Sequence, residues 1–174
     1  MSAVDRAFKF LSVLLITILL LFSATGKAAQ QELKMVGEAK LEMLFWSVYH
    51  SRLYTEDGRY QEGRWPVMLE IEYLMDIDSE ELVSATEEEW RHLGLNHPKQ
   101  QEWLSQLLSK WPDVRENDRL AMLVTEQGHS QFLLNQKPLG TIDDADFSHS
   151  FLSIWLSPNT SRPALRTALL GGKQ

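Results

Sequence analysis

The chain has 174 residues, 44% of them hydrophobic and 24% charged, which is enough for one domain with a substantial core. Its 24 acidic residues outnumber 17 basic ones, for a net charge of −7; an acidic surface without a basic stripe disfavours nucleic acid as a partner. Cysteine is absent, which excludes a disulfide framework, thiolate catalysis, zinc–thiolate sites and a lipoprotein anchor.

Residues 10–22, "FLSVLLITILLLF", are uncharged, follow Arg6 and Lys9, and precede the small residues Ser23, Ala24, Thr25 and Gly26. The run is shorter than the roughly 20 residues that cross a bilayer, so the expectation is a cleavable signal peptide over 1–28 and export to a periplasm. An uncleaved N-terminal tether is the alternative. Cleavage leaves one domain over 29–174 with 14 basic and 23 acidic residues, a net charge of −9.

From Leu41 to Tyr54, "LEMLFWSVYHSRLY" alternates with a period of two and predicts one strand. The alternation puts Tyr49 on the face opposite Arg52 and Tyr54. Asp57-Gly58 supplies a turn, and "PVMLEIEYL" predicts a strand with Val67, Leu69, Ile71 and Tyr73 inward and Met68, Glu70 and Glu72 in water. Asp78 and Glu81 suggest a capping box opening a helix that carries Val83, Thr86, Trp90 and Leu93 and stops at Gly94. A second helix starts near Asn96 and Pro98, carries Trp103, Leu104, Leu107, Leu108 and Trp111, and ends at Pro112.

Strand patterns return in "RLAMLVTEQ", "SQFLLN" and "PLGTI", with a turn at Gln127-Gly128. Asp143, Asp144 and Asp146 then mark a helix start carrying Phe147, Phe151, Ile154 and Trp155. Pro158 ends that helix, Pro163 opens another, and Gly171 closes it. Clustered strands separated by helix pairs predict an α+β fold, an antiparallel sheet with helices on one face. The six tryptophans are expected mainly on buried faces.

Common nucleotide-binding, metalloprotease and hydrolase motifs are missing. Of the five histidines only His92 and His97 are close in sequence, and Gly94 and Pro98 break any shared helical face, so neither a metal nor a cofactor is expected. The acidic run from Asp76 to Glu89 reads as a helix start followed by a solvated face, because consecutive Glu87, Glu88 and Glu89 fan around a helix.

Three stretches carry a family resemblance: "VGEAKLEMLFWSVYHSRLY", "VMLEIEYLMDIDSEELVSATEEEWRHLG" and "FLLNQKPLGTIDDADFSHSFLSIWLSPNTSRPALRTALLG". Its most specific parts are Val48-Tyr49, the helix end from Glu89-Trp90 to Gly94, and Ile154-Trp155-Leu156 with Pro163, Leu165 and Arg166. Together they resemble the bacterial exported branch of the chalcone isomerase-like superfamily. The resemblance implies an open-faced β-sandwich, a large curved antiparallel sheet under a layer of helices. In the plant isomerases of that superfamily a polar set in the cleft stabilises developing negative charge. Placed against them, the tyrosine position falls on Asp78, the asparagine on Ala85, the threonine and methionine that set specificity on Ile154 and Trp155, and a strand threonine on Leu44. The nearest counterpart of the substrate-engaging arginine is Lys40.

Loss of one oxyanion donor costs roughly 3–4 kcal/mol of transition-state stabilisation, so loss of several favours a noncatalytic module. The resulting expectation is a protein that binds an apolar small molecule or fatty acid, as some members of the superfamily do, or acts as an accessory module. Lys40, Tyr49, Arg52 and Trp155 are the expected ligand contacts. Such binding needs a cavity of about 300 Å³ or more near Leu44, Ile154 and Trp155. The enzyme alternative is an intramolecular lyase or isomerase acting on a phenolic or enone substrate through Lys40, Tyr49 and Asn159. A third reading makes the stretch "SRPALRTALLGGKQ" a surface for an unidentified protein partner.

Overall fold

The computed structural model describes residues 32–43 and 46–172; the expected signal peptide lies outside them. Six strands form one antiparallel sheet in chain order: β1 (Lys34–Met43), β2 (Trp46–Thr55), β3 (Val67–Tyr73), β4 (Arg119–Val124), β5 (Ser130–Leu134) and β6 (Lys137–Ile142). Helices α1 (Ser79–His92) and α2 (Gln100–Lys110) fall between β3 and β4, and α3 (Ala145–Leu156) and α4 (Pro163–Leu169) follow β6. The chain therefore adopts the expected α+β arrangement, an open antiparallel sheet with its helical layer. Among the described residues no helix is long and apolar enough to cross a membrane.

The single strand expected from Leu41 to Tyr54 is instead the end of β1 and most of β2, a hairpin closed by the pairing of Met43 with Trp46. The link is "LF", without the Asn, Asp or Gly that two-residue hairpin turns favour, and the apolar pattern runs on through it. Register shifts after Met35 and after Leu41 leave Val36 and Val48 without partners on the opposite strand. In β3 the expected alternation holds throughout, with Val67, Leu69, Ile71 and Tyr73 buried.

The inner face of the sheet meets the helices through an aromatic block. Trp90 of α1, Trp103 of α2 and Phe147 of α3 pack edge to face, with ring centres 5.9, 6.3 and 5.7 Å apart. Phe132 of β5 continues the block to Trp111 and Phe151. Trp90, Trp103 and Trp111 fulfil the burial expected of tryptophans; Trp46 does not, being 70% exposed. Leu108, expected on the apolar stripe of α2, is also exposed, since one residue beyond buried Leu107 turns about 100° around the helix.

Two local devices set the helices. Asp78 occupies the N-cap position of α1, but its carboxylate makes no capping hydrogen bond, so the expected capping box is not formed. The N–H of Ser79 instead donates to Asp113 Oδ1 at 2.9 Å, a cap supplied by the approach to β4. At the other end, Gly37 lets α4 lie against β1, because a Cβ there would collide with the carbonyl of Ala168. Gly94 and Gly171 end α1 and α4 as expected, with φ of +68° and +80°.

Candidate functional site

A cavity of about 460 Å³ opens between the sheet and the helices at the end where the β1–β2 hairpin lies. Its sheet wall is Leu69, Ile71 and Tyr73 of β3, Leu120 and Met122 of β4, and Phe132 of β5. Alternation explains that wall, since every second residue of each strand faces the helices. The helical wall comes from Leu82, Ser84, Ala85 and Thr86 of α1 and from Phe151, Ile154 and Trp155 of α3. Ser84 and Ala85 are short side chains, so α1 leaves space where a larger residue would fill it. Thr86 Oγ1 donates to the carbonyl of Leu82 at 2.9 Å and is thereby satisfied within its own helix.

Polar groups gather on one side of this hollow. Trp155 Nε1 donates to Tyr49 Oη at 3.1 Å, and the ring of Tyr49 meets that of Tyr73 edge-on at 6.4 Å. Burial pushes the Tyr49 phenol up to about 12 against the opposing pull of the Trp155 hydrogen bond. The phenol therefore stays protonated at neutral pH, and its O–H is a donor rather than a base. Burial raises the Tyr73 phenol as well. Ser161 Oγ lies 2.8 and 2.9 Å from the two carboxylate oxygens of Glu89, which fixes that acid at the wall.

Glu81, Glu88, Glu89 and Arg162 are the charged residues of the lining. Arg162 is exposed, and its guanidinium makes no ion pair or hydrogen bond among the described residues. The indole N–H of Trp111 is buried and has no acceptor among the described residues. Among the described residues no cluster of His, Asp and Glu is placed to hold a metal ion.

Of the four expected ligand contacts, the structure brings together Tyr49 and Trp155 and separates the other two. Lys40 and Arg52 do not line the cavity. Ala39 and Leu53 are buried in the core, so their neighbours Lys40 and Arg52 project from the opposite face of the sheet. There Lys40 Nζ pairs with Glu42 at 2.8 Å, and Arg52 reaches Glu72 at 2.8 Å, Glu70 at 3.3 Å and Glu38 at 3.5 Å. The Arg52 guanidinium holds the Glu72 carboxyl below its ordinary value.

The other marked positions divide similarly. Ala85, Ile154 and Trp155 line the cavity, whereas Asp78 and Asn159 do not, and Leu44 lies outside the described residues. Glu89, Ser161 and Arg162 went unrecognised as wall residues in the sequence. The available signal was the helical spacing of Glu81, Ala85 and Glu88-Glu89, with small residues at its centre.

The model of the chalcone isomerase-like family matches residues 21–171. The chain belongs to that family. A relative in sequence is an uncharacterized protein of Haemophilus influenzae, 32% identical over 159 residues, which span 91% of this chain and 76% of that one. In structure the chain is similar to the crystal structure of a fatty-acid binding protein of Arabidopsis thaliana, with a TM-score of 0.63 and 12% identity over 83% of this chain and 88% of the other. At that identity the likeness concerns the chalcone isomerase-like fold, a six-stranded sheet with its helices.

Proposed function

We propose that the protein is a noncatalytic, exported member of the chalcone isomerase-like family whose cavity receives an apolar small molecule with one polar end, such as a fatty acid. The observation that carries this reading is the cavity itself, about 460 Å³ with mainly hydrocarbon and aromatic walls. That volume lies in the range of small-molecule sites, roughly 300–1,000 Å³. Burial of an alkyl chain against Leu69, Ile71, Met122 and Ile154 supplies the attraction, at about 0.8 kcal/mol for each methylene removed from water. A carboxylate or hydroxyl at the chain end meets Arg162 and the Tyr49 O–H.

The fatty-acid binding protein with a similar fold supports this choice of ligand class. So does the hydrocarbon at Ala85 and Ile154, where the isomerases of the resemblance carry polar groups. Export rests on the N-terminal sequence pattern alone.

Native mass spectrometry of protein purified from its own cells, followed by organic extraction, tests the reading. The expected result is a co-purifying lipid and saturable displacement of a fluorescent fatty acid. Absence of both, or accelerated cyclisation of a chalcone-like enone over the buffer rate, would replace binding with the isomerase alternative or with neither.

A further inference from the structure

We propose that a second, smaller hollow, walled by Tyr60, Trp65 and His149 beside the Glu62 carboxylate, is a binding site for a quaternary ammonium group of the trimethylammonium type. It shares no lining residue with the larger cavity among the described residues, and it does not rest on the binding reading given to that cavity. The connection from β2 to β3 supplies Tyr60, Glu62 and Trp65, and α3 supplies His149, Leu152, Ser153 and Leu156. Spacings of three and four residues put those four on one face of the helix. The imidazole of His149 meets the Trp65 indole edge to face, with ring centres 5.1 Å apart. The hollow measures about 110 Å³. At ~30 Å³ for each water of the liquid, that is room for about four heavy atoms, as many as a trimethylammonium head contains.

Chemistry selects the occupant. Aromatic rings around a small hollow attract a cation through their π faces, the more strongly where water is displaced. Glu62 adds a negative charge to the lining. The C-terminal end of α3, at Leu156, Ser157 and Pro158, adds the negative pole of a helix that has no basic residue in its last turn. Arg166 is an opposing charge: burial pushes the Tyr60 phenol up to about 12, Glu62 adds to that rise and Arg166 reduces it. Its Nε donates to the Leu156 carbonyl at 2.8 Å, and the residue does not line the hollow. The choice of a methylated cation follows from the hydroxyls. Ser153 Oγ donates to the Ser150 carbonyl at 2.7 Å, and Ser157 Oγ accepts from the Asn159 N–H at 3.1 Å. A primary ammonium brings three donors, for which the side chains of Leu152, Leu156 and Pro158 supply no acceptor. A quaternary nitrogen brings no donor and leaves none unmet.

Calorimetric titration of choline chloride into the protein as purified from its cells tests the proposal. The expected result is saturable binding, about tenfold or more tighter than for tert-butylethanol, which has the same shape without the charge, or for ethanolamine, which keeps its N–H groups. Tyr60→Leu is expected to weaken choline by about tenfold, and Glu62→Gln, at an exposed position, by about threefold. A thermal melt checks that Tyr60→Leu is folded, and Glu62→Gln carries the test if it is not. An alkylphosphocholine below its micellar concentration separates the sources of the group: binding tighter than choline supports a lipid head group, and weaker binding supports a free solute. Choline bound no tighter than tert-butylethanol, or equally well by both variants, would overturn the proposal. So would displacement of a fluorescent fatty acid by choline, which would put the cation in the larger cavity. Loss of fatty-acid binding with choline binding intact removes the cavity reading alone.

Discussion

Trp155 on α3 donates its indole N–H to the phenol oxygen of Tyr49 on β2 at 3.1 Å, tying the helical layer to the sheet across one wall of the cavity. Because the Tyr49 oxygen accepts in this bond, the proton of the phenol is free for another partner. Under the binding reading proposed above, a ligand acceptor is its recipient, which gives the pair a recognition role beside its structural one.

Alkaline titration reads the first of these roles. Burial lifts Tyr49 and Tyr60 to about 12 and raises Tyr73 as well, from an unfolded value near 10. In the window between, the unfolded chain has released protons that the folded chain retains, so stability falls as pH rises. The contribution is complete below pH 10 and is lost as pH passes through about 12. For Tyr49 the slope is about 1.4 kcal/mol per pH unit within the window. Urea melts at pH 9 and above pH 11 are expected to show a falling midpoint; equal midpoints would contradict the burial of these phenols.

Ala85→Trp is expected to fill the cavity. Ala85 lines the space from an exposed position on α1, so a bulky side chain has room to enter without displacing the aromatic block. Fatty-acid affinity should fall by about tenfold or more, with the melting temperature little changed. Isothermal titration together with a thermal melt separates blocked binding from unfolding.

Arg162→Met tests the polar end. A charge-assisted contact to a carboxylate is worth roughly 1.5–3 kcal/mol, so a fatty acid should lose about tenfold or more in affinity. A fatty alcohol of the same chain length should lose much less. Equal losses for acid and alcohol would move the carboxylate away from Arg162.

Gly37→Ala probes the seat of α4. The added methyl would meet the Ala168 carbonyl and lie 2.7 Å from that of Leu169, and backbone atoms cannot swing aside as a side chain can. A loss of about 1–3 kcal/mol is expected in urea denaturation, in line with overpacking of a close contact. An unchanged midpoint would mean that α4 shifts at little cost.

Much of the fold was legible because its signals are local. The alternation of Val67, Leu69, Ile71 and Tyr73, and the glycines and prolines that bound the helices, act over a few residues and survive into the structure. The β1–β2 hairpin was illegible because Leu44-Phe45 continues an apolar pattern where turn chemistry is expected. For the site, periodicity placed Tyr49 and Arg52 on opposite faces, but it could not say which face the helices would cover. Lys40 stands among the expected contacts as the nearest counterpart of the isomerases' arginine, but in the structure four carboxylates on neighbouring strand positions engage it and Arg52. The hollow itself arises from the short side chains of Ser84 and Ala85, and an absence of volume leaves little trace in a pattern of apolar residues.

The uneven distribution of aromatic rings gives the domain a tight end and a loose one. Trp90, Trp103 and Phe147 interlock outside the lining, while Tyr49 and Trp155 border open space. Amide protons of α2 and of the Trp90 turn should consequently exchange slowly in deuterium, since local opening costs most where many groups touch. Under the binding reading, the side of the domain that opens most readily is expected to be the one that borders the cavity.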